Sequence, residues 1–312
     1  MQYSNILNKV SGLIQKNEDR NWIILGDNSS GKSELLRNIV SKMKLNAYYI
    51  DSVNRYFNIS STNLSKDGVD CSVSSTEIVN TRVQNGFYNL TDSFGENEHI
   101  ERLYPIYQER LKSLLKDFLN IDFSIEREKL QEGFGDGEVK VEIDGQEVEL
   151  SSGYQAIIRM FTELIFYDEH LMGRGLIVID EIDEFLSPKY SARILNFIIK
   201  QFSGHYFIVS THSSDLVANS NDCNIVTLEK DNFSILDSND FITLTDVNTL
   251  FNKLFRNIQQ DKNNLIDSQL QRLLDLKIID SWTQIEDDEL QKINYSKLTS
   301  VQKLIYKQIK GW

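Results

Sequence analysis

The sequence predicts an α/β protein with a mainly parallel sheet, a small antiparallel β patch and a C-terminal helical region. Three observations carry this expectation. Asn21–Leu25 (NWIIL) is a short apolar run stopped by Gly26, a helical pattern follows from Lys32 to about Lys44, and Ala47–Asp51 (AYYID) is a second such run. A strand–helix–strand unit requires a crossover, so these two strands are expected parallel in one sheet. The same alternation returns later, where Leu176–Ile179, the helical pattern Tyr190–Gln201 and Tyr206–Ser210 follow one another. Finally, the strand-like runs Val139–Ile143 and Gln146–Leu150 are joined by Asp144-Gly145, a two-residue hairpin signal.

The remaining elements fit around that frame. Ile6, Leu7, Val10, Leu13 and Ile14 recur at helical spacing, giving an opening helix without the continuous apolar stretch of a signal peptide. Residues 54 to 97 are rich in Asn, Ser, Thr and Gly and read as irregular, with one helix at Thr76–Val83. His99–Leu119 reads as a long amphipathic helix with Pro105 in its first turns, and Phe123–Leu130 as a strand. A helix at Tyr154–Tyr167 and a closing strand pair at Asn224–Leu228 and Phe233–Leu236 complete the frame. The chain therefore divides into residues 1–240, with an inserted region at 54–150, and a helical region at 241–312.

Composition narrows the function classes. The 312 residues carry 33 Lys+Arg against 46 Asp+Glu, a net charge of −13, which argues against a surface that grips a nucleic-acid backbone unaided. Any nucleic-acid contact is expected to be local or indirect. No apolar run approaches the ~20 residues of a membrane span, so no membrane association and a cytoplasmic location are expected. Cys71 and Cys223 lack metal or redox spacing and read as reduced thiols. His99, His170 and His205 lack partner spacing and read as surface or helix-end residues.

Two motifs carry the chemistry. Gly26-Asp27-Asn28-Ser29-Ser30-Gly31-Lys32-Ser33 fits the phosphate-loop pattern and lies between an expected strand and an expected helix, and these residues with Glu34 are the expected nucleotide-binding set of the loop. Its glycines let backbone N–H groups turn towards phosphate oxygens. Lys32 is placed to reach the β/γ-phosphates of ATP, and the Ser33 hydroxyl to hold Mg²⁺. Gly175–Glu181 (GLIVIDE) is an apolar strand ending in two carboxylates, the Walker B arrangement. Asp180 is placed to bind Mg²⁺ directly or through water, and Glu181 to polarise the attacking water.

Between the two motifs stands Leu150-Ser151-Ser152-Gly153-Tyr154, directly before a helix. An ordinary Ser N-cap is one reading of it. It also resembles the LSGGQ signature of ABC-class ATPases, and Tyr206–His212 (YFIVSTH) resembles the strand and switch histidine of the same family. The resemblance covers roughly residues 1–240 and implies a P-loop NTPase of the ABC ATPase-head type. It further implies ATP-dependent homodimers or higher oligomers. Each composite site would join Gly26–Ser33, Asp180, Glu181 and His212 of one subunit to Ser151, Ser152 and Gly153 of the other. Lys32, Glu181 and His212 would be the catalytic groups.

Asp180–Pro188 (DEIDEFLSP) is similar to the OLD, RecF and SMC branch, whereas transporter subunits read D-E-P there. No glutamine follows Ala47–Asp51 where transporters carry a Q-loop. Asn54 or Arg55 stands in that place, and a turn with a surface arginine is the reading the residues favour. Only 118 residues, 34–151, separate loop from signature, and no heptads occur, which excludes a coiled-coil arm. The compact form resembles ATPase components of bacterial anti-phage defence modules, which implies a switch acting on a separate effector such as a nuclease. A DNA repair or recombination ATPase is the alternative, and a transporter subunit a weaker one. The helical tail would pack on its own core or dock a partner.

Overall fold

A computed structural model describes residues 2–17, 19–43, 47–52, 55–66, 69, 74–83, 97–127, 139–171, 173–229, 232–240, 247, 250–251, 264–278 and 282–311. Its frame is a six-stranded sheet built from β1 (Asn21–Gly26), β2 (Ala47–Ile50), β6 (Gly175–Ile179), β7 (His205–Ser210), β8 (Cys223–Leu228) and β9 (Phe233–Asp237), in the order β2-β6-β7-β1-β8-β9. Every pairing is parallel except that of β8 with β9. The sheet is mainly parallel, as the crossover pattern predicts. β1 and β2 share it without touching, because β6 and β7 insert between them.

Side chains alternate between two apolar layers. Ile23, Leu25, Ile177, Ile179, Phe207 and Val209 face one layer, and Trp22, Ile24, Leu176, Val178 and Ile208 the other. Burial on both faces explains why these strands read as continuous apolar runs. The first layer is covered by α5 (Tyr104–Leu119), α6 (Ser152–His170) and α7 (Pro188–Gln201), and the second by α1 (Gln2–Lys16) and α2 (Lys32–Lys42). At about 1.5–3 kcal/mol for each large apolar side chain fully buried, the two layers supply most of the gross driving force.

The small sheet pairs β3 (Phe123–Arg127), β4 (Val139–Ile143) and β5 (Gln146–Glu147) antiparallel. Its turn has positive φ at both Asp144 (53°) and Gly145 (75°), the type I′ geometry that Asp-Gly supports. One expectation is shortened here. β5 ends at Glu147 rather than Leu150: the Val148 N–H still donates to the Val141 carbonyl at 3.0 Å, but the paired register with β4 stops at Glu147. β3 is described to Arg127, and residues 128–130 lie outside the described residues.

The helix expected at His99–Leu119 is two helices, α4 (Asn97–Arg102) and α5, with α3 (Ser75–Val83) before them. Pro105 sits in the first turn of α5, where its missing N–H costs nothing, and Leu103 separates the two. Of the tail, the described helices are Asn264–Ile278, Gln284–Lys292 and Ser300–Gly311. Leu270, Leu273, Leu274, Leu290, Leu298, Ile305 and Ile309 join the first apolar layer, and the first and last of these helices lie on β9. This part of the tail packs on its own core. The acidic run at Glu286 starts its helix as expected, with Thr283 and Glu286 forming a capping box. Cys223 is a buried free thiol, and Cys71, Asn54, Leu254 and Phe255 lie outside the described residues. Among the described residues, no helix is long and apolar enough to cross a membrane.

A buried ionic cluster ties α6 to β2, α3 and α4. Glu163 accepts from Arg82 at 2.7 and 3.2 Å, from Arg159 at 2.8 Å and from the Tyr48 hydroxyl at 2.9 Å. Arg159 also faces Glu101 at 3.3 Å, and Arg82 donates to the Tyr49 carbonyl at 2.7 Å. Burial alone would raise the Glu163 pKa, but Arg82 and Arg159 outweigh it and hold the carboxyl at about 2. A depressed folded-state pKa stabilises above the ordinary value of 4.5, and that contribution is lost as pH falls towards 2. Glu163→Gln strips two buried guanidinium groups of their carboxylate and is expected to cost about 3–5 kcal/mol. Urea denaturation at pH 7 measures that loss, and the acid-induced part of the wild-type stability profile between pH 4.5 and 2 is expected to flatten in the variant.

Candidate nucleotide site

The strand order brings three chain segments to one edge. β6, β7 and β1 are consecutive neighbours, so Asp180 and Glu181, Ser210 to His212, and Gly26 to Ser33 all leave the sheet side by side at its C-terminal end. In a parallel sheet this is the edge where ligands bind.

The loop keeps the conformation its residues suggest. Gly26 ends β1 so tightly that a side chain on it would collide with Ser30 and the Leu228 carbonyl. Asp27, Asn28 and Ser29 form an exposed rim, while Ser30 is buried. Ser29 (φ 67°) and Gly31 (φ 84°) are left-handed, which turns successive N–H groups inwards and opens α2. Lys32 and Ser33 occupy the first turn of α2, and Glu34 in the same turn is exposed. Lys32 Nζ donates to the carbonyls of Gly26 (3.0 Å) and Asp27 (3.3 Å) and lies 2.8 Å from His212 Nε2. Burial lowers its pKa, against the nearby carboxylates of Glu181, Asp180 and Asp27.

Asp180 is fully buried. Its Oδ1 accepts from Ser210 Oγ at 2.5 Å and its Oδ2 from the Tyr49 hydroxyl at 3.4 Å. Ser210 Oγ in turn accepts the Glu181 N–H at 2.7 Å, so one hydroxyl joins both carboxylate residues across the β6–β7 boundary. Glu181 itself has φ 49°, a left-handed conformation that costs a side-chain-bearing residue roughly 1–2 kcal/mol. Its Oε1 lies 3.5 Å from His212 Nε2. The His212 contact, with Lys32 behind it, holds the Glu181 carboxyl below the usual range despite partial burial. His212 Nε2 stands between Lys32 Nζ at 2.8 Å and Glu181 Oε1 at 3.5 Å, and its tautomer decides whether it accepts from the lysine or donates to the carboxylate. Burial and the neighbouring Glu181 raise Glu184 to about 7.

Ser151 is the N-cap of α6, its Oγ accepting the Tyr154 N–H at 3.4 Å, so the capping reading holds. Ser151 and Ser152 are exposed, and Gly153 approaches so closely that an added Cβ would lie 2.9 Å from the Phe185 carbonyl. The structure thus seats Ser151–Gly153 against the turn that follows Glu181, with the α6 N-terminus open to solvent. Phe185 at that turn is 52% exposed with φ 66°.

Two expectations are corrected. Arg55 is not a surface residue: it is 4% exposed and reaches under the Walker B corner, Nη2 donating to the Asp180 carbonyl at 2.8 Å. Burial in a polar cluster needs no periodicity, so no sequence pattern reveals it. His205 is also buried, its Nδ1 accepting the Gly175 N–H at 3.1 Å and its Nε2 lying 2.7 Å from Asp168, which pairs with Arg110. Starting a buried strand is what takes it inside. His170 does end α6 and is exposed, whereas the side chain of His99 lies outside the described residues. Ser210 and Tyr49 are functional neighbours the sequence did not single out.

The residues fit a nucleotide with its cation. Among the described residues no three His, Cys, Asp or Glu side chains form a metal cluster, so an ion held by Ser33 and Asp180 needs phosphate oxygens and water to complete its shell. That is the habit of Mg²⁺ at a phosphate loop.

No family model matches the chain. Over 107 residues it is 30% identical to the Septu protein PtuA of Bacillus mycoides (strain KBAB4), a match covering 33% of this chain and 14% of PtuA. The chain therefore matches only a small part of that relative's length. Among solved structures it is similar to an SMC head bound to the C-terminal winged-helix domain of ScpA, with a TM-score of 0.36 at 15% identity over 65% of this chain and 60% of that one. It is also similar to an ATP-binding cassette of an ABC transporter in its ADP conformation, with a TM-score of 0.40 at 13% identity over 76% of this chain and 87% of that one. An inward-facing putative metal-chelate type ABC transporter gives a TM-score of 0.37 at 16% identity over 75% and 79%.

Ser210→Ala removes the hydroxyl shared by Asp180 and the Glu181 N–H, leaving two buried polar groups unpaired. A loss of about 1–3 kcal/mol in stability is expected, read from the midpoint of chemical denaturation.

Proposed function

We propose that this protein binds and hydrolyses Mg-ATP as an ABC-class ATPase of the OLD, RecF and SMC-like branch. The observation that carries the reading is the convergence at one sheet edge of the phosphate loop, the Asp180–Glu181 corner and His212, with Lys32 Nζ 2.8 Å and Glu181 Oε1 3.5 Å from the same imidazole nitrogen. Phosphoryl transfer to water asks for positioning and charge compensation, and this arrangement offers both.

Inward N–H groups of Ser29 to Lys32 and the start of α2 hold the phosphates. Lys32 exchanges the Gly26 and Asp27 carbonyls for β/γ-phosphate oxygens. Ser33 binds the cation, and Asp180, fully buried and hydrogen-bonded, holds its hydration shell from behind. When bound, Mg²⁺ neutralises charge on the phosphate oxygens. Glu181 orients the attacking water and takes its proton as the bond from the γ-phosphorus to the bridging oxygen breaks. His212, released by Lys32, turns to Glu181 and the γ-phosphate.

The exposed Ser151, Ser152 and Gly153 at the start of α6 suit closure over the γ-phosphate of a second subunit, which makes assembly ATP-dependent. The closed and open forms would act as a switch on a separate effector such as a nuclease. A place in bacterial anti-phage defence is supported by the motif resemblance and by the similarity to Septu PtuA. Residues 1–240 would form the ATPase unit, and the exposed side of the helical tail would receive the partner, in the cytoplasm.

Glu181→Gln is expected to lower phosphate release by about a hundredfold or more and to accumulate as a larger assembly with Mg-ATP in light scattering. Wild-type hydrolysis with no ATP-dependent change in mass would refute the composite site. Ser151→Arg is expected to block assembly while affinity for a fluorescent ATP analogue stays unchanged, and Lys32→Ala to abolish that affinity.

A further inference from the structure

Arg55 has no part in the phosphate chemistry just described, yet it is the charged side chain packed most closely beneath it. Nη2 donates to the Asp180 carbonyl at 2.8 Å and to the Glu181 carbonyl at 3.4 Å, and Nη1 lies 3.5 Å from Met160 Sδ on α6. We propose that Arg55 is the positioning residue of the hydrolytic centre: its guanidinium grips the two carbonyls of the Walker B corner and so fixes the turn that aims the Glu181 carboxylate. The proposal rests on the ATPase reading for its catalytic consequence, and on the geometry of the corner for its physical content.

Main-chain hydrogen bonds hold that corner from several sides. The Asp180 N–H donates to the Ile50 carbonyl at 2.9 Å and the Glu181 N–H to Ser210 Oγ at 2.7 Å, both cross-strand anchors. The Asp180 and Glu181 carbonyls face the other way, towards Arg55. Glu181 is left-handed at φ 49°, and a side chain persists in that conformation only when its surroundings over-determine it. The Glu181 carbonyl also accepts the Glu184 N–H at 3.0 Å and the Ile182 N–H donates to the Ser210 carbonyl at 3.0 Å, and Arg55 adds the side-chain restraint, strongest at the Asp180 carbonyl. Glu163, Asp51, Glu184 and Asp180 surround it at longer range and favour its charge, while none of its described contacts is with a carboxylate. Both carbonyl bonds come from Nη2, so one arm of the planar guanidinium spans two successive carbonyls while Nη1 rests on Met160, an arrangement that follows the path of the backbone rather than balancing a charge. Its Nε is buried without a hydrogen-bond partner, a cost that the carbonyl bonds offset.

Lysine at this position keeps the charge but loses the rigid planar group that Met160 seats beneath the two carbonyls. The test compares Arg55→Gln and Arg55→Lys with wild type in the full chain. It measures phosphate release, affinity for a fluorescent ATP analogue, and amide hydrogen exchange over residues 179–186. Arg55→Gln is expected to lower kcat by about tenfold or more with affinity held within about twofold, since small displacements of a reacting group cost that much. Exchange over 179–186 is expected to rise while β1 stays protected, and Arg55→Lys to recover part of both effects. Should Arg55→Gln not fold, Arg55→Lys carries the same comparison, with a smaller loss of kcat at unchanged affinity. Wild-type kcat in Arg55→Gln overturns the proposal, and so does a joint fall of kcat, affinity and protection across the whole sheet. If the wild-type chain releases no phosphate at all, the ATPase reading fails separately, and unchanged exchange over 179–186 then overturns the grip itself.

Discussion

Parallel pairing of β7 with both β6 and β1 is the constraint on which the rest of the molecule depends. β7 lies between the strand that ends in Asp180 and the strand that ends in Gly26, with Val178 opposite Ile208 and Ile23 opposite Val209. Because all three run the same way, their C-terminal ends meet at one edge, and the loop, the two carboxylates and His212 become neighbours without any long-range side-chain reach. Crossovers through α2, α6 and α7 cover both faces, so each strand is buried on both sides and slippage would expose nothing polar but would misplace every site residue. Ser210 records that register chemically, since its hydroxyl spans from β7 to the two residues that leave β6.

Charges buried below this edge divide the work between holding the scaffold and holding the site. Glu163 is matched by Arg82 and Arg159 and fixes α6 against β2 and α3, a fully desolvated cluster whose value lies in specifying one arrangement. Arg55 lies next to it but bonds main-chain carbonyls, and so acts on a conformation. Lys32 belongs to neither class. It is held by two loop carbonyls and an imidazole, and burial lowers its pKa.

Helix starts follow the same logic of unfinished partners. The first turns of α2 and α6 leave N–H groups free for an anion, one behind the phosphate loop and one behind Ser151. α2 opens behind the loop of its own chain. α6 begins beside the Phe185 carbonyl and opens to solvent.

Sequence by itself determined the parallel frame, the phosphate loop, the Walker B strand and the Asp144-Gly145 hairpin, because each follows from local spacing: apolar runs at strand length, glycines where φ is positive, carboxylates at a strand end. It placed α6 at Tyr154–Tyr167, and the helix runs longer, Ser152–His170, with Ser151 as its N-cap. It overextended β5 and joined α4 to α5, because ends of elements depend on which partners exist across the sheet and on how a proline is accommodated. Tertiary structure alone decided the fates of Arg55, His205 and Ser210. Their roles come from what packs over them and from which strand lies beside which, and hydrogen bonds between residues 125 or 30 positions apart leave no period in the chain.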